Sequence, residues 1–98
     1  MVIWSDRATR NLRGIFDFIA LDSLKYARHV TTNIVAKSEV LERFPQMGRA
    51  VPEVGRDDVR ELLIGSHRLI YRTLPGRDVE ILTIIHGSRD FREDDLSE

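Results

Sequence analysis

Arg60, Arg68, Arg72 and His86 fall within three closely spaced β-prone segments, Arg89 follows the last of them, and Tyr71 lies among them. Planar guanidinium forks beside an imidazole suit three kinds of chemistry. They can take the carboxylates of an acidic peptide through charge-assisted hydrogen bonds. They can grip an RNA phosphate and stabilise the charge that develops as the strand is cut, with His86 as acid or base. Or they can form a solvated sheet face whose arginines pair with Glu61 and Glu80, each exposed pair contributing about 0–1 kcal/mol. The rest of the chain offers little else. There is no cysteine, which removes disulfides, thiolate metal sites and cysteine nucleophiles. His29, His67 and His86 are far apart in sequence, with no acidic residue at ligand spacing, so neither a metal nor a cofactor is expected. Phosphate-binding glycine loops, G-x-S-x-G and H-E-x-x-H are missing. Asp57-Asp58 and Ser66-His67 read as turn residues before they read as catalytic pairs.

Regular elements must hold these side chains. Val2-Ile3-Trp4 is a short β-prone run, stopped by Ser5-Asp6, a cap followed by an acid for the start of a helix. Ala8, Leu12, Ile15, Phe16 and Ile19 recur at helical spacing and predict a helix over 6–21. Asp22-Ser23 ends it and can cap a longer amphipathic helix carried by Ala27, Val30, Ile34, Leu41 and Phe44 and ended by Pro45. So short a junction predicts an antiparallel helical hairpin. Residues 45–58 hold two prolines and two glycines and read as a loop.

Three strands follow, over 59–65, 67–74 and 79–86, joined by Gly65-Ser66 and by Pro75-Gly76-Arg77-Asp78. The class is α+β: a strand, a two-helix hairpin, then a three-stranded antiparallel meander, with the helices on one face of a small sheet. On that reading the second face is open and presents Arg68 and Arg72, while Leu69 and Tyr71 point inward.

The chain of 98 residues suits a single domain over 1–92, with an acidic tail over 93–98 that frays. That tail carries four acids; the other 92 residues hold 15 basic against 12 acidic side chains. Of the bases, 13 are arginine. No apolar run exceeds four residues and no leader-like segment opens the chain, so a cytoplasmic protein without membrane contact is expected.

Phe44-Pro45-Gln46-Met47-Gly48-Arg49, Val59-Arg60-Glu61-Leu62, the His67–Arg72 segment and Val79 to Asp90 come in an order that resembles the ParE branch of the RelE/ParE toxin superfamily, from Trp4 to about Phe91. The resemblance implies a RelE/ParE-like fold and the toxin half of a bacterial type II toxin–antitoxin module. It also implies DNA gyrase as target and a ParD-like antitoxin as partner, with no sequence-specific nucleic-acid binding. The alternative it raises is a RelE-like ribosome-dependent mRNA endoribonuclease, in which Arg68, His86 and Arg89 would be catalytic. Such nucleases keep lysines where Val59, Arg60 and Glu61 stand here, and a late tyrosine or histidine that the acidic tail lacks. The non-enzymatic reading is favoured, with Arg60, Arg68, Tyr71, Arg72, His86 and Arg89 as partner-binding residues.

Overall fold

The computed structural model describes residues 1–96. Five strands form one sheet in the order β1-β5-β4-β3-β2: β1 (Val2–Trp4), β2 (Arg49–Ala50), β3 (Val59–Ile64), β4 (His67–Thr73) and β5 (Val79–His86). β1 lies parallel to β5, and the other neighbours are antiparallel. Two helices, α1 (Asp6–Ala20) and α2 (Leu24–Glu39), cover one face, and a 3₁₀ turn, Val40–Glu42, extends the second.

The helix starts follow the caps read in the sequence. Ser5 Oγ accepts from the Ala8 amide at 3.0 Å and donates to the Leu82 carbonyl at 2.9 Å, so one hydroxyl starts α1 and ties it to β5. Ser23 Oγ accepts from the Tyr26 amide at 3.0 Å and starts α2. Ala8, Ile34, Leu41, Leu69, Tyr71, Ile81 and Ile84 are buried between helices and sheet. Leu41 is fully buried there, so Leu41→Ala should cost roughly 2–5 kcal/mol in a denaturant melt. A loss under about 0.5 kcal/mol, the scale of a surface substitution, would show that its side chain is not part of this core.

The second face is not open. Val51, Val59, Ile70, Leu82, Ile85 and Phe91 form a second buried cluster, with Val54 and Leu96 packed against it. Two stretches read as irregular supply this cover. One is the segment before β3, which contains the two-residue edge strand β2. The other is the return of the chain after β5. The tail's first four residues, Glu93–Leu96, form a 3₁₀ turn, and Arg7 Nη1 donates to the Asp95 carbonyl at 2.6 Å. Ser97 and Glu98, the end of the expected frayed tail, lie outside the described residues.

A bulge also redirects β5. Tyr71 pairs with Ile81 but Ile70 pairs with Thr83, leaving Leu82 as the extra residue. Ile81 and Ile84 thus both face the helices, while Leu82 and Ile85 join the other cluster.

Candidate functional site

Most of the arginine cluster is committed to holding the fold together. Glu61, 1% exposed, sits at its centre. Arg49 lies directly across from it on β2 and donates Nε to Oε2 at 2.6 Å. Arg68, diagonally placed on β4, donates Nε to Oε1 at 2.7 Å. The outer edge of Arg68 grips Glu53 at 2.8 and 2.9 Å, a two-pronged pair, and donates to the Arg89 carbonyl at 2.8 Å. Glu53 also accepts from the Phe91 amide at 3.1 Å.

This network perturbs both ends. Hydrogen bonding to Arg68 is the main reason the Glu53 carboxyl sits at about 2; partial desolvation opposes it and the Phe91 amide assists. The two carboxylates push the Arg68 guanidinium upward. Because the folded Glu53 lies below its ordinary 4.5, its stabilising effect is complete above that value and disappears as pH falls through about 2. Glu53→Gln should therefore flatten the acid side of the Tm-against-pH curve between those limits. An unchanged acid limb would detach Glu53 from acid stability.

Arg72 pairs with its cross-strand neighbour Glu80 at 2.7 Å. Arg60 is held by Asp57 at 2.8 Å and by the Gly48 carbonyl at 2.8 Å. Tyr71 is fully buried; its Oη accepts from the Gly48 amide at 2.9 Å and donates to the Pro45 carbonyl at 2.8 Å. Burial pushes its hydroxyl pKa up. The expected open face of Arg68 and Arg72 is thereby corrected: Arg68 is 6% exposed, and both guanidiniums have carboxylate partners.

His86 and Arg89 differ. Both are exposed, and the Arg89 guanidinium has no hydrogen-bond or ion-pair partner among the described residues. They sit where β5 ends beside the Gly65-Ser66 turn, whose first residue has φ +58°, open to glycine without strain. His67 stands across from His86, with ring centroids 6.1 Å apart. Burial, and secondarily His86, lower the His67 pKa. The Ser88 amide donates to His86 Nδ1 at 3.2 Å.

Two clefts meet here. One, about 660 Å³, runs over Arg49, Glu53, Arg68, His86 and Arg89. The other, about 800 Å³, is a groove between α1 and α2 lined by Ile15, Phe18, Tyr26 and Val30, which ends at His67, His86 and Arg89. Phe18 and Tyr26 are 76% and 58% exposed. Among the described residues no group of three or more potential metal ligands occurs, and no helix is long and apolar enough to cross a membrane. Glu53, Arg49 and His67 carry much of this geometry and are not among the site residues expected from the sequence; a lone acid in a proline–glycine loop gives no signal of its role.

A two-helix layer on a five-stranded sheet, with clefts meeting at one end of the meander, defines a small α+β protein of the RelE/ParE-like fold. Residues 2–91 match the family model described as the ParE toxin of the type II toxin–antitoxin system, parDE. The chain is 33% identical over 89 residues to a protein of Sinorhizobium fredii (strain NBRC 101917 / NGR234) described as "Putative toxin Y4kP", a match covering 90% of this chain and 88% of that one. A solved structure described as the chromosomal ParDE TA system from P. aeruginosa superposes with a TM-score of 0.70 at 23% identity, over 87% of this chain and 92% of that chain, which speaks for the fold. The chain belongs to the ParE toxin family of type II toxin–antitoxin systems.

Proposed function

We propose that this toxin acts in the cytoplasm as a non-enzymatic poison of DNA gyrase and is neutralised by a ParD-like antitoxin. The gyrase target follows from the ParE resemblance. What favours it over RNA cleavage is Arg68. A ribonuclease built on Arg68, His86 and Arg89 needs that guanidinium free to meet a phosphodiester, and here Glu53 and Glu61 already occupy it. Both carboxylates also oppose docking of a phosphate at the same place.

The antitoxin partner fits the groove between α1 and α2. An amphipathic segment laying apolar side chains on Phe18, Ile15 and Tyr26 brings a carboxylate to Arg89 at the groove's end. The test uses purified toxin with gyrase and DNA, and separately with ribosomes programmed with mRNA. Protein-linked cleaved DNA should accumulate and vanish when antitoxin is added. Ribosome-dependent mRNA cuts with gyrase unaffected would reverse the reading.

A further inference from the structure

We propose that Glu53 is a positioning residue for the partner-binding Arg89, acting through Arg68 and the backbone that carries Arg89. The inference rests on the reading that Arg89 meets an antitoxin carboxylate.

Arg89 belongs to the segment that leaves β5 and crosses the second face of the sheet. Its amide donates to the His86 carbonyl at 3.0 Å, and its own carbonyl accepts from Arg68 at 2.8 Å. Two residues on, the Phe91 amide donates to Glu53 at 3.1 Å. Glu53 thus holds the segment twice, directly at Phe91 and through the two-pronged Arg68 pair at Arg89. Phe91 itself is 1% exposed in the second cluster, so its ring anchors the crossing independently of Glu53. Loss of the carboxylate leaves that anchor and frees the Arg89–Asp90 stretch. The Arg89 side chain is exposed and its guanidinium has no partner among the described residues, so the held backbone is what places it at the end of the groove. Fixing the Arg89–Asp90 backbone before binding avoids the cost of ordering that stretch in the complex.

A double-mutant cycle tests this, with affinity for the full antitoxin encoded beside the toxin read by calorimetry. Arg89→Ala in the otherwise natural toxin should weaken binding about tenfold, the scale of an interface side chain that matters. Glu53→Gln, which touches nothing in the groove, should weaken it several-fold. In the Glu53→Gln background, Arg89→Ala should then add less than about twofold, with faster amide exchange at Phe91. Arg68→Lys keeps a cation beside Glu61 but loses the fork, and should show the same non-additivity; it carries the cycle if Glu53→Gln does not fold. Multiplying effects, or unchanged Phe91 exchange, would overturn the role of Glu53. If Arg89→Ala alone leaves affinity unchanged, the placement of the antitoxin carboxylate falls first and this proposal with it.

Discussion

Glu61→Ala should destabilise the fold by about 3–5 kcal/mol, because removing one member of a buried ion pair strands the other. Glu61 is fully enclosed and joins Arg49 on β2 to Arg68 on β4 across its own strand. Without it, Arg68 remains buried with its Nε undirected, and only the Glu53 side of its fork stays matched. Exchanging both residues for apolar ones of similar volume, Glu61→Leu with Arg68→Met, should recover much of the loss, since a buried pair is worth little against good packing. Denaturant melts of the single and double variants decide the matter. A single-variant loss below about 1 kcal/mol, the range of a solvent-exposed pair, would mean that water reaches the carboxylate.

Ser5 and Ser23 mark helix starts locally, through a side chain reaching three residues ahead, so the starts of α1 and α2, and the end of α1, were legible to within a residue or so. The meander was legible because Gly65-Ser66 and Pro75 to Asp78 punctuate it. The second helix was read too long because Leu41 and Phe44 continue the apolar rhythm through a tighter 3₁₀ turn. Charge alone suggests that the sheet arginines pair with Glu61 and Glu80 on a solvated face; the structure pairs Arg68 with Glu61 and Arg72 with Glu80, and buries the first pair.

What stayed hidden depends on distant parts of the chain. β2 is two residues long and exposed, so it leaves no pattern. The cover on the second face is built from Val51, Val54 and Phe91, single apolar residues in irregular segments. The bulge at Leu82 breaks the alternation that would have shown β5 buried on both sides. A side chain's freedom to bind a partner turns on these long-range contacts, and so Arg68 and Tyr71 could not be told from Arg89 by spacing.

Tyr71 gives the sharpest experimental separation of fold from partner binding. Tyr71→Ala should cost about 3–5 kcal/mol, the range for emptying an aromatic from a packed core. Tyr71→Phe keeps the ring but deprives the Gly48 amide of its acceptor and the Pro45 carbonyl of its donor. Leaving those groups unpaired should cost about 1–3 kcal/mol. Gly48 packs closely on this hydroxyl, since a Cβ there would lie 2.5 Å from the Glu61 carbonyl and 2.7 Å from Tyr71 Oη, leaving room for glycine alone. Because the ring is wholly buried, folded Tyr71→Phe protein should bind antitoxin as the natural toxin does. A stability unchanged by Tyr71→Phe would mean that the hydroxyl holds neither backbone group. Conversely, a large loss of antitoxin affinity at full stability would return Tyr71 to the partner-binding surface, and with it the view that the partner reaches beneath the Pro45–Gly48 segment.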